Sequence, residues 1–99
     1  MPAVARQNDR FKTGHKCTTV STVTGPSTDV FANGRGVERK GDPSVVHSIR
    51  RGSKCKPHKV NIKGGSSTVF VNGSPIARVG DAIDKGSIIS GSNNVFAGG

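Results

Sequence analysis

The sequence predicts an all-β fold of short strands and tight turns built from three related units, and three observations carry that prediction. Ser27, Val30-Phe31, Asn33-Gly34, Arg39 and Gly41-Asp42 reappear as Ser66, Val69-Phe70, Asn72-Gly73, Arg78 and Gly80-Asp81 at a constant offset of 39 residues. In both copies β-forming residues run into Asn-Gly, the dipeptide that best tolerates the positive φ angles of a two-residue hairpin turn. Finally, 14 Gly and 5 Pro are spread so evenly that few windows can sustain a helical hydrophobic period.

Each element follows from those copies. In the later one, Val69-Phe70-Val71 is the outgoing strand and Ile76 to Val79 the return strand, with Pro75 placed to start an edge without removing a ladder donor. In the earlier one, Val30-Phe31 leads through Asn33-Gly34 into Val37-Glu38-Arg39. A third copy is split. Pro2 to Asp9 resembles Pro75 to Asp81, and Ser90 to Gly99 resembles Gly65 to Gly73, so the termini are expected to pair and close the chain on itself, leaving no open sheet edge. The reading is therefore a single domain, 1–99, with units at 25–42, 64–81, and 90–99 plus 2–9. Two insertions, Arg10 to Thr24 and Pro43 to Gly64, and a shorter link from Ala82 to Ile89 separate the hairpins.

A chain of 99 residues buries only about 60–65% of its unfolded surface. With 31% hydrophobic residues, no Trp, no Tyr and four Phe, burial alone hardly offsets a conformational entropy of roughly 1–2 kcal/mol per residue. A metal, a disulfide or an assembled partner is expected to supplement the core. No apolar run approaches a membrane span and no signal peptide is evident, so the chain is expected to be made and kept as a soluble protein.

The net charge of +9 raises the question of polyanionic partners. Its densest run holds Arg50, Arg51, Lys54, Lys56, Lys59 and Lys63 without an acid. That run lacks an aromatic residue on which bases stack, so it reads as a solvated basic loop before it reads as a nucleic-acid site. A small zinc-stabilised nucleic-acid-binding module is the alternative function.

Both insertions together contain all three His and both Cys. His15 and Cys17 lie in the first, and His47, Cys55 and His58 in the second. Thiolate and imidazole suit zinc, four such ligands make a closed structural site, and the same ligands also hold iron. Cys55-Lys56-Pro57-His58 is a Cys-x2-His pair. Five candidates compete for four places: His15, His47, Cys55 and His58 is one solution, and Cys17 in place of His15 is the other. A Cys17–Cys55 disulfide is a further reading of the same residues. Catalysis is poorly supported, because a small aromatic-poor chain has little wall for a water-excluding pocket. Asp42 and Asp81, at matching positions after Gly, read as turn chemistry in which Asp bonds nearby backbone amides.

Val69-Phe70-Val71-Asn72-Gly73-Ser74-Pro75-Ile76-Ala77-Arg78-Val79-Gly80-Asp81 resembles the repeat of PAAR proteins, named for Pro-Ala-Ala-Arg; Gly14-His15-Lys16-Cys17 and Gly91 to Phe96 are similar to members as well. The likeness covers nearly the whole chain, which implies a solitary, phage-like member. It implies a cone of pseudo-threefold β-hairpins with a zinc ion near its vertex, held by three His and one Cys, and so favours His15, His47, Cys55 and His58. It further implies a non-enzymatic spike-tip protein at the end of a contractile phage tail or type VI secretion spike, made in the bacterial cytoplasm. One chain would cap a trimeric β-helical partner through Val30, Phe31, Val69, Phe70, Val71, Val95 and Phe96, and its point would meet the target-cell envelope, with no nucleic acid expected. Two departures from the family pattern stand out. Gly36-Val37-Glu38-Arg39 replaces Pro-Ala-Ala-Arg and is expected to weaken the symmetry of one hairpin, whereas Asp84-Lys85-Gly86 replaces a common Cys-Gly and is expected to remove no ligand.

Overall fold

Both Asn-Gly turns adopt the left-handed backbone their residue types allow. Asn33 and Gly34 have φ of 56° and 76°, and Asn72 and Gly73 have 53° and 81°, as a turn matching the strand twist requires. In the computed structural model, which describes residues 1–99, these turns close the hairpins β3 (Phe31–Ala32) with β4 (Arg35–Gly36) and β7 (Phe70–Val71) with β8 (Ser74–Pro75). The third hairpin is made by the termini: Ala3 pairs with Phe96, Val4 N–H donates to the Val95 carbonyl, and Ala97 N–H donates to the Pro2 carbonyl. The remaining strands are β1 (Arg10–Lys12) with β2 (Val20–Thr22), β5 (His47–Arg51) with β6 (Lys54–His58), and β9 (Ala82–Ile83) with β10 (Gly86–Ser87). There is no helix, and every ladder is antiparallel.

Isolated two-stranded ladders are marginal in water, so the contacts between units decide stability. A closed cycle of backbone hydrogen bonds joins the units: Ala5 N–H to Ala77 O, Ala77 N–H to Glu38 O, and Glu38 N–H to Ala5 O, each 2.9 Å. Bridges Val4–Arg78, Arg6–Val37 and Arg39–Ile76 flank it with the same threefold relation. Outside the cycle, each unit repeats one ion pair, Arg6–Asp9 at 3.0 Å, Arg39–Asp42 at 2.8 Å and Arg78–Asp81 at 3.1 Å. In each, an Asp oxygen also accepts the backbone N–H of that Arg, which is the turn role expected of Asp42 and Asp81. The departure at Gly36-Val37-Glu38-Arg39 leaves this backbone symmetry intact, because the cycle uses main-chain groups that any side chain supplies.

Two apolar clusters lie along the axis. Val4, Ala32, Val37, Val71, Ile76 and Ala97 form one, under the Asn-Gly hairpins. Ala5, Phe11, Val23, Ile62, Ala77, Ile83 and Ile88 form the other, drawn from a second threefold tier in which Phe11 pairs with Ile88, Val23 with Ser44 and Ile62 with Ile83. Beyond that tier the segments between units continue as β1–β2, β5–β6 and the β9–β10 turn. The molecule measures 41 Å by 23 Å by 23 Å, one long axis with two equal widths, as stacked tiers about a pseudo-threefold axis require.

Candidate metal centre

Each segment between units delivers one part of a polar cluster above the second apolar tier. The β1–β2 turn carries His15, positioned after Gly14 (φ 74°), where a Cβ would collide with the Lys85 backbone. That approach brings the β9–β10 turn alongside, and its Asp84 sits at φ 56°, a conformation Asp tolerates. His47 opens β5 and His58 closes β6, directly opposite in the register. Phe11 of the apolar tier meets the His47 ring edge-on at 5.7 Å, which joins cluster to core.

All three rings point Nε2 at one carboxylate. His15 Nε2 lies 2.7 Å and His47 Nε2 3.0 Å from one Asp84 oxygen, and His58 Nε2 lies 3.3 Å from the other. The four side chains are largely buried, with His58 the most open at 19%. At their far ends His15 Nδ1 faces the Lys16 carbonyl at 3.1 Å and His47 Nδ1 the Val45 carbonyl at 3.0 Å. A carbonyl only accepts, which assigns the proton to Nδ1 in the neutral rings and leaves the Nε2 lone pairs facing an anionic oxygen. Such a convergence of acceptors needs positive charge at its centre. A metal ion supplies it, with the carbonyls as the outer partners that orient ligating imidazoles; ring protons supply it otherwise. Where the rings instead carry Nε2–H, burial disfavours ionisation of Asp84, but the hydrogen bonds that His47, His15 and His58 then donate outweigh it and hold the carboxyl below its ordinary range. The ligand atoms of His15, His47, His58 and Asp84 all lie within 4.8 Å of one another, so the donor set fits an ion.

The structure departs from the expected set at one place. Cys55 is bonded to Cys17 in a disulfide, so neither offers a thiolate, and Asp84 stands where the fourth ligand was expected. The physical reason is strand geometry. Cys55 and His58 share β6, and residues three apart in a strand face opposite sides and lie roughly 10 Å apart; the Cys-x2-His spacing converges only on a turn. Cys17, at φ 80°, bridges Ile49 of β5, which places its sulfur beside Cys55 on the face away from the histidines. Asp84 stands in the Asp84-Lys85-Gly86 stretch that replaces a common Cys-Gly, a departure expected to touch no ligand; that expectation fails, because Asp84 supplies the fourth group of the cluster. The usable signal was symmetry: the third segment has to rise beside the other two, and Asp84 is the acid at its turn.

At the opposite end, three equivalent Val-Phe pairs, Val30-Phe31, Val69-Phe70 and Val95-Phe96, are 37% to 58% exposed. Val71 is not among them. It is buried in the first cluster, like its counterparts Ala32 and Ala97, because the residue after each outward Phe faces inward.

A family model described as the PAAR motif matches residues 13–90. The chain belongs to the PAAR-motif family. The match spans all four clustered residues and the two internal Asn-Gly hairpins. Among curated proteins, none matches the chain. No helix of this PAAR protein is long and apolar enough to cross a membrane.

Proposed function

We propose that this PAAR protein is a non-enzymatic spike tip: one copy caps the end of a trimeric β-helical spike of a contractile phage tail or type VI secretion apparatus, and the far end forms the metal-stabilised point that meets the target-cell envelope. The single observation that carries this reading is the arrangement of Val30-Phe31, Val69-Phe70 and Val95-Phe96, three matching apolar pairs left exposed by one chain around a pseudo-threefold axis. A monomer has no use for three equivalent patches, whereas a threefold partner offers three equivalent sites to one chain. His15, His47, His58 and Asp84 would hold a structural ion, zinc or iron. Four protein ligands fill a tetrahedral sphere and leave no open position for a substrate. The ion would neutralise the facing acceptors and tie the three segments together.

Mixing the chain with a purified trimeric β-helical spike protein and weighing the complex by native mass spectrometry tests the proposal. One chain per trimer is expected; no complex, or three chains per trimer, would refute it.

A further inference from the structure

The six acidic side chains are all committed elsewhere. Asp9, Asp42 and Asp81 pair with arginines, Asp84 with the histidines, and Asp29 bonds Asn72 near the apolar end. Glu38 is fully buried. The positive charge therefore concentrates at the other end, where β5 and β6 run on past the His47–His58 pair to a turn at Gly52 (φ 63°). Arg50, Arg51, Lys54 and Lys56 are exposed there without any ion pair, and Lys16 joins them from the β1–β2 turn. The Cys17–Cys55 disulfide and the Cys17–Ile49 bridge fix the β1–β2 turn to the hairpin, so these five cations sit on one stapled support.

We propose that the end of the β5–β6 hairpin is a docking site for an anionic lipid surface, a bilayer face rich in phosphate-bearing headgroups. Cations spread over a narrow convex projection address a plane of many charges, and each basic residue near such a surface strengthens attraction about fivefold. A nucleic-acid strand needs a groove that tracks its backbone and aromatic faces for its bases; the hairpin has neither. The inference rests on charge placement, is measured on the isolated chain, and so stands or falls apart from docking of the Val-Phe end.

The experiment is vesicle flotation of the whole protein. Binding is expected to phosphatidylcholine vesicles containing a third phosphatidylglycerol and not to phosphatidylcholine alone, and to weaken as salt shortens the reach of the charges. The triple variant Arg50→Ser, Arg51→Ser, Lys54→Ser should bind about a hundredfold more weakly, with melting temperature and metal content unchanged because these side chains are exposed. Equal binding to neutral vesicles, undiminished binding of the triple variant, or tighter binding to single-stranded or duplex DNA than to anionic vesicles would overturn the proposal. Inorganic phosphate at the headgroup concentration should not displace the protein; displacement would assign the site to the free ion and refute the surface.

Discussion

Glu38 occupies the position that Ala5 and Ala77 fill in the other two units, at the cycle of backbone hydrogen bonds. It is wholly buried, and neither carboxyl oxygen has a hydrogen-bond partner. Burial, reinforced by Asp42 and Asp9 and only partly opposed by Arg39, pushes its pKa from 4.5 up to about 9. The folded protein therefore keeps Glu38 protonated while the unfolded chain ionises it above pH 4.5. Its contribution is fully present below pH 4.5, falls as pH rises toward 9 and is flat beyond. One pKa unit corresponds to about 1.4 kcal/mol, so roughly 3 kcal/mol is lost by pH 7. Glu38→Ala, which restores the residue of the other units, should raise the melting temperature at neutral pH and remove this part of the decline. Glu38→Gln, which keeps the volume, should remove the decline as well. Thermal melts from mildly acidic to alkaline pH check it: a wild type and Glu38→Gln with parallel profiles would show that this carboxyl does not titrate as argued. The departure at Glu38 was legible in the sequence. Its consequence was not, because offsets along a chain do not reveal that matched positions meet at one point in space.

At the scale of elements, hairpins were legible and the faces of their strands were not. Asn33-Gly34 and Asn72-Gly73 announce turns through local backbone preference, and the split copy announces the pairing of the termini. Membership of the candidate metal site depends on which side of β6 each residue faces, and that follows from strand boundaries that Lys54 to His58, with Pro57 inside it and little apolar alternation, do not declare. The ligand assignment yields a clear contrast. Asp84→Ala should reduce bound metal below one ion per chain and lower stability, because it removes the anionic member of the cluster. Cys17→Ser with Cys55→Ser should keep the metal and lose stability by another route: opening a link that spans 38 residues of sequence releases chain entropy worth up to about 4 kcal/mol. Metal analysis paired with denaturant melts separates the two. Loss of metal in the double Cys variant with retention in Asp84→Ala would reinstate Cys55 as the ligand.

The whole molecule is two tiers with different sources of stability. Around the Asn-Gly hairpins, the first apolar cluster, the backbone cycle and the three Arg–Asp pairs hold one another without a metal. Above the second cluster, the segments 10–24, 43–63 and 82–89 meet through His15, His47, His58 and Asp84 and through one disulfide. An ion that binds only the native arrangement stabilises what it touches by mass action, and regions with few apolar contacts open independently of a core. Removing the proposed ion with a chelator should therefore loosen one end of the molecule first. Hydrogen exchange is expected to accelerate at amides of the distal turns, such as Lys85 N–H, which bonds the Thr13 carbonyl. Protection at Ala5, Glu38 and Ala77 should persist, since their cycle lies where the two apolar clusters meet and uses none of His15, His47, His58 and Asp84. The disulfide limits the effect, holding Cys17 against the β5–β6 hairpin while His15 and Asp84 separate, so chelation and reduction together should exceed the sum of either alone. Uniform acceleration across both tiers would mean that the metal stabilises the fold as one cooperative unit, and the division argued here would fail.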